Sequence, residues 1–247
     1  TAFIPKKLPP KSPVLQVDDE VLTLIKQAER SLEKLNLAAE IVPSLDWFIY
    51  AYVRKEAVTS SQIEGTQATL IDLLSFEAKD KTQQEIDPNI EEICNYLDAI
   101  QYARAQLQNP NSPPLSMRLL NETHKRLMTG ARGNNKQPGE IRKSQNWIGG
   151  TRPGNAVFVP PPPTRLPEIL GDFEKYIHTN DKIHKLIRIG MLHVQFETIH
   201  PYLDGNGRIG RLLITLLLEH WEVLNQPLLY LSHYFKKHRT EYYRLLG

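Results

Sequence analysis

The sequence predicts a mainly α-helical protein, a helical bundle with one small β-hairpin, and three observations carry that prediction. Apolar residues recur at helical spacing along most of the chain. The periodic runs are bracketed by start and stop residues, such as Ser116 before one of them and Gly130 after it. Only one stretch alternates in the manner of strands around a turn.

In chain order, residues 1–13 read as an extended arm, because Pro5, Pro9, Pro10 and Pro13 leave little room for a helix. Val21, Leu22, Ile25, Ala28, Leu32 and Leu35 then form one apolar stripe. A second helix spans about 44–59 through Trp47, Ile49, Tyr52 and Val53, and a third spans 66–76 with Leu70, Leu73 and Leu74 apolar. A long amphipathic helix covers 89–107 after Asp87-Pro88, and another covers 116–128. Helices at 166–178 and 183–198 follow, then an apolar one at 212–221, and residues 230–246 supply one or two terminal helices. The exception is 145–150 with 156–159, two β-like runs around Thr151-Arg152-Pro153-Gly154. An isolated two-stranded hairpin is marginal in water, so this one must lean on the helices or on a ligand. Residues 160–163 are four prolines, a stiff polyproline II connector in preference to an SH3-type ligand.

Composition narrows the class. With 247 residues, 40% of them apolar, the chain suits one large domain or a core with an appended piece, and intrinsic disorder is excluded. A net charge of +2 gives no sign of a nucleic-acid-binding surface. The single cysteine, Cys94, excludes an internal disulfide framework and fits a reducing compartment. It falls among Ile90, Ile93 and Leu97, as a buried structural thiol would. Residues 1–13 lack an apolar signal core, and no stretch approaches the ~20 apolar residues needed to span a bilayer. The expectation is a soluble, cytoplasmic protein.

Chemistry concentrates at residues 200–211, His-Pro-Tyr-Leu-Asp-Gly-Asn-Gly-Arg-Ile-Gly-Arg. Polyphosphate chemistry needs charge neutralisation on the transferring group and something to deprotonate an in-line nucleophile. The turn Gly205-Asn206-Gly207 at a helix N-terminus offers N–H donors as an anion nest. Arg208 and Arg211, three apart, share a helix face and offer forked guanidinium donors. Asp204 is a hard oxygen ligand for Mg²⁺, and His200 titrates near operating pH. The lysine of a Walker A loop is absent. The bland alternative has Asp204 to Gly207 as a plain tight turn and both arginines solvated. A further alternative is the Glu-x-x-His spacing of Glu197 and His200, which suits a carboxylate di-iron bundle, but a second such pair is missing. His193 reads as a hydrogen-bonded core residue.

At these residues the chain resembles the Fic family, whose motif is His-Pro-Phe-x-(Asp/Glu)-Gly-Asn-Gly-Arg-x-x-Arg; Tyr202 replaces the usual phenylalanine and keeps an aromatic anchor. The resemblance implies a Fic-domain helical bundle with a small β-hairpin flap, and an enzyme that moves AMP from ATP to a Ser, Thr or Tyr hydroxyl of a target protein with Mg²⁺. By the same resemblance His200 is the general base, with Asn206, a contact to the α-phosphate, and Arg208 completing the catalytic set. Asp204 is the Mg²⁺ ligand. Gly205, Gly207 and Gly210 line the nucleotide site, and Arg208 and Arg211 hold the outer phosphates.

Two further stretches extend the likeness. Ser60-Ser61-Gln62-Ile63-Glu64-Gly65 resembles the family's inhibitory motif, with Ser60, Glu64 and Gly65 at its key positions, and places the chain in the class with an N-terminal inhibitory helix. A Glu64 carboxylate reaching Arg211 would occupy the guanidinium that a γ-phosphate needs. Asn146, Trp147, Ile148 and Gly149 resemble the flap that binds the target backbone by adding a strand. Tyr242 and Tyr243 resemble a tyrosine pair lining the nucleotide pocket. The implied layout is an N-terminal part at 1–107, with the inhibitory helix at about 44–77, and a catalytic core at 108–247 with the flap at about 144–160. The chain stops in what reads as a helix in progress, which leaves room for a C-terminal winged-helix domain, the only route by which DNA would be a partner. Homodimerisation is a family expectation. The alternative activity is removal of AMP from a modified protein, with Glu64 aligning water; a non-enzymatic alternative is an adaptor that only binds nucleotide.

Overall fold

The structure is a computed structural model that describes residues 1–79, 86–130, 134–229 and 231–246. Helix α1, Asp19–Ile41, starts where the Asp18 carboxylate accepts from the Val21 N–H at 2.9 Å. Its predicted stripe is only partly covered: Leu32 is buried, Val21, Ile25, Ala28 and Leu35 are half-buried, and Leu22 is exposed. Part of the stripe borders an apolar cavity of about 630 Å³ instead of filling it.

Helix α2, Leu45–Ile63, runs past the expected end near Thr59, so Ser60 lies inside it and Glu64 is its C-cap residue. Gly65 follows with φ +106°, a conformation open to glycine, and this turns the chain away. Helix α3, Leu70–Glu77, begins later than the expected Thr66, because Thr69 and Asp72 form a reciprocal capping box. Helix α4, Pro88–Gln108, follows the Asp87 cap and carries buried Ile93, Tyr96, Leu97 and Ile100 through the middle of the bundle. Cys94 on the same helix is half-buried, packed against the core and not enclosed by it.

Helices α5, Met117–Leu127, and α6, Leu166–His178, stand close to their expected spans. Helix α7, Lys185–Ile199, starts at the His184 cap and ends at His200. Helix α8, Asn206–His220, starts six residues before the predicted apolar run and is buried along most of its length. The terminal stretch is two helices, α9, Leu231–Lys237, and α10, Arg239–Leu246; Tyr230 and Gly247 lie outside the described residues. Helix α4 packs against α2, α5 and α8, and α7 pairs with α8. The shared interior holds Leu120, Phe196, Leu213 and Leu217.

The hairpin is reduced to one antiparallel bridge, Ile148 with Phe158, closed by hydrogen bonds of 2.8 and 3.1 Å. It does lean on a neighbour. The Phe3 N–H donates to the Val159 carbonyl at 2.8 Å, and the Phe3 and Phe158 rings lie 5.8 Å apart. The proline run beyond it is a packed connector: Pro160 and Pro161 are buried, and their carbonyls accept from the Gln145 amide and the Arg142 guanidinium.

Candidate active site

The loop between α7 and α8 is built by local rules before any tertiary contact is counted. His200 ends α7 in the left-handed region at φ 50°, and Pro201 forbids further helix. Asn206 then locks the loop: its Oδ1 accepts from the Tyr202 N–H and its Nδ2 donates to the Tyr202 carbonyl, both at 2.9 Å. Gly205 caps α8 at φ 76°, where a Cβ would sit 2.9 Å from the Met128 sulfur. The first N–H groups of α8 therefore point outward from a tight turn with no helical partners of their own. The Asn206 side chain faces the loop and braces the turn, so a phosphate contact from this residue would come from its main chain.

Tertiary packing fixes the turn. Tyr202 is buried, stacks on His124 at 3.8 Å and donates its hydroxyl to Asn121 Oδ1 at 2.8 Å. His124 accepts from the Gly139 N–H at Nδ1, so its Nε2 donates to the Asp204 carbonyl at 3.0 Å. Arg142, which no local pattern marks, threads the back of the loop. Its guanidinium donates to the carbonyls of His200, Ser144 and Pro161, and burial lowers its pKa to about 10.

Both motif arginines are buried and paired, which removes the solvated alternative. Arg211 donates Nε to the Ser60 hydroxyl at 3.0 Å, and Nη2 both to the Ser60 carbonyl at 3.0 Å and to Glu64 Oε1 at 2.6 Å. Burial works against its charge, but Glu64, Tyr242 and Glu197 together outweigh it and hold the guanidinium protonated. Gly207 makes the approach feasible, since a Cβ there would overlap the Glu64 carboxylate. Arg208 pairs with Glu92 on α4, whose other oxygen accepts from the Thr66 hydroxyl at 2.8 Å, and lies 3.8 Å from Asp204. Glu92 was not foreseen: it stands 116 residues from Arg208 in a helix with no local signature.

His200 faces a cavity of about 370 Å³ that it shares with Glu64, Gly207 and Arg211. Burial lowers its pKa to about 4, so the imidazole is neutral at pH 7. The remaining walls are Ile148, Val157 and Phe158 from the flap, with Tyr242 and Tyr243 from α10. The structure thus brings both tyrosines and the flap to the motif. Tyr242 is buried with its hydroxyl 3.0 Å from His193 Nε2, while Tyr243 is largely open. His193 is the core residue expected, its Nδ1 on the Gly210 carbonyl at 3.0 Å. Of the flap residues, Ile148 reaches the cavity, Asn146 reaches back to the Tyr202 carbonyl at 3.4 Å, and Trp147 is partly exposed. Gly149 turns the chain at φ 68°.

Comparison with known proteins agrees with this architecture. The profile described as Fic/DOC family N-terminal matches residues 22–105, and the one described as Fic/DOC family matches 114–218. A protein adenylyltransferase Fic of Aedes aegypti is 31% identical over 157 residues, 63% of this chain and 28% of that protein. A probable protein adenylyltransferase of Aquifex aeolicus is 26% identical over 73% of this chain and 52% of its own length. The chain therefore spans from about a quarter to about half of these curated relatives. Among solved structures, a Fic family protein from Desulfovibrio desulfuricans superposes over 94% of this chain and 67% of its own, with TM-score 0.73 and 24% identity. Fic-1 from C. elegans superposes over 82% of this chain and 59% of its own, with TM-score 0.62 and 20% identity. With one profile on its N-terminal helices and the other on the core that carries residues 200–211, the chain belongs to the Fic family.

Proposed function

We propose that this chain transfers AMP from ATP to a hydroxyl side chain of a target protein and that Glu64 restrains it. The observation that carries the reading is the 2.6 Å contact between Glu64 and Arg211 inside the cavity that His200 faces. Arg211 is the donor that would hold the terminal phosphate, and a charge-assisted hydrogen bond to it contributes about 1.5–3 kcal/mol. The neutral His200 Nδ1 lies 3.4 Å from the Glu197 carbonyl, which leaves Nε2 to accept a proton. In the reaction the target oxygen bonds to the α-phosphorus, the bond to the bridging oxygen breaks, pyrophosphate departs, and the hydroxyl proton passes to His200. Ile148, at the flap's one bridge, would hold the target segment by its backbone.

Mg²⁺ fits the donor set. Asp204 is half-exposed, with one oxygen held by the Gly205 N–H at 2.6 Å, beside Arg208 on a polar cavity of about 250 Å³. Among the described residues no three His, Cys, Asp or Glu side chains converge as a metal cage. A single carboxylate completed by phosphate oxygens is a common way to hold Mg²⁺. When bound, the ion neutralises phosphate charge.

The test is labelling of target protein with ATP carrying a radioactive α-phosphate. Glu64→Gly is expected to label at least tenfold faster than the native chain, and adding His200→Ala is expected to abolish the signal. No labelling by Glu64→Gly, or labelling that survives loss of His200, overturns the proposal. Release of AMP from a modified target by the native chain, dependent on Glu64, would assign the reverse direction to the same site. No described helix is long and apolar enough to cross a membrane; residence in the cytoplasm and assembly as a homodimer belong to this proposal.

A further inference from the structure

Glu197 makes no hydrogen bond to either motif arginine, although the positive charge of Arg211 acts on its carboxyl. It stands one turn before His200 on α7, with its side chain buried, and Oε1 has no hydrogen-bond partner. A buried polar atom left unpaired in a native fold calls for an explanation, and a ligand that supplies the missing bond is one. The carboxyl lies over Gly210 of α8, where a Cβ would overlap it, so the glycine leaves this acid its place. It lines the cavity of about 370 Å³ together with His200, Arg211, Tyr242 and Tyr243. It is not needed as the partner of Arg211, whose Nε and Nη2 go to Ser60 and Glu64.

The adenylylation reading, on which this inference rests, fixes what comes near Glu197. The α-phosphorus must lie within reach of His200, and the other phosphates lead away toward Arg211. The remaining substituent on that phosphorus is the ribose. One turn along α7 is about 5 Å, the distance from a phosphate to the far edge of its sugar. The base then meets the apolar wall of Ile148, Val157 and Phe158 and the ring of Tyr243. We propose that Glu197 accepts a hydrogen bond from the ribose 2′- or 3′-hydroxyl, and so discriminates against a nucleotide that lacks that hydroxyl. Burial raises its pKa to about 7, so both forms are present at neutral pH and each can accept.

The experiment measures equilibrium binding of ATP, 2′-deoxy-ATP and 3′-deoxy-ATP by calorimetry in the full chain carrying Glu64→Gly, with Glu197 native, Glu197→Gln or Glu197→Ala. With native Glu197, one deoxy analogue is expected to bind at least tenfold more weakly than ATP, and which one it is assigns the hydroxyl. Glu197→Gln keeps an acceptor and is expected to retain most of that ratio. Glu197→Ala is expected to bind ATP and the analogue within twofold of each other. If Glu197→Ala does not fold, Glu197→Asp retracts the carboxyl by one methylene and is expected to lose the ratio likewise. Equal binding of all three nucleotides to native Glu197, or a ratio unchanged in the alanine or aspartate variant, overturns the inference while leaving the adenylylation reading intact. Failure of Glu64→Gly to bind ATP at all removes the adenylylation reading itself.

Discussion

Tyr202 shows how one atom is absorbed by a site that resembles others lacking it. The ring supplies the aromatic anchor anticipated from the motif, stacked on His124, and the extra hydroxyl finds Asn121 at 2.8 Å. A buried hydroxyl would otherwise be costly. Tyr202→Phe is expected to lower stability by about 1 kcal/mol, seen as a fall of a few degrees in Tm, while labelling by the Glu64→Gly chain stays within about twofold. A larger loss of labelling would mean that the hydroxyl, and not the ring alone, sets the turn. Residues at this scale were legible where the contact is local or carried by the motif. His200, Gly207 and the two arginines all line the two adjoining cavities. Glu92 and Arg142 were not legible, because their partners are distant in sequence and nothing in their own neighbourhoods marks them.

Among the elements, α2 and its C-cap carry the residues of the proposed restraint at helical spacing: Glu56, Ser60 and Glu64. Its upper end holds Arg211. Its lower end is pinned to α9, where the buried Glu56 carboxylate accepts from the Ser232 hydroxyl and, at 3.1 Å, from its N–H. Burial raises the pKa of Glu56, and the bonds from Ser232 offset this only in part. Ser232→Ala is expected to loosen α2, lowering stability by about 1–3 kcal/mol and raising basal labelling severalfold. The same change in the Glu64→Gly background is expected to leave labelling unaltered; a parallel rise there would show that α9 acts by another route. Helix periodicity located α2 but not its last turn, since Ser60, Ser61 and Gln62 weaken the apolar pattern. The hairpin was over-read for a related reason. Alternation promised two strands, but Gly149 and Gly150 at positive φ and the turn at Asn155 leave room for one bridge.

For the whole molecule, two buried histidines and the half-buried His200 set the response to acid. His124, His193 and His200 each have a pKa lowered to about 4 by burial, against an ordinary value of 6.5. Between these values the unfolded chain binds more protons than the native one, so stability is complete above about 6.5 and falls as pH drops toward 4. Each such shift corresponds to roughly 3 kcal/mol. The buried carboxyls of Glu56, Glu197 and Glu219, with raised pKa, work in the opposite sense as pH rises. Thermal denaturation is expected to show Tm falling steeply between pH 6.5 and 4, with a shallower fall in His193→Gln. An unchanged Tm down to pH 4.5 would contradict this. At this scale the bundle was largely legible, because helices announce themselves by period and cap. The arm laid along the flap, and α1 over a partly unfilled apolar cavity, depend on packing that no local pattern encodes.

The carboxylate on Arg211 can be viewed as a ligand the protein carries on its own chain. Because it is tethered, its concentration at the guanidinium is set by the geometry of α2 and does not fall on dilution. On the proposed reading it would displace only what sits at that one residue, the last phosphate of a triphosphate. On the proposed reading Glu64, 2.6 Å from Arg211, would gauge nucleotide length, hindering a triphosphate and sparing a diphosphate.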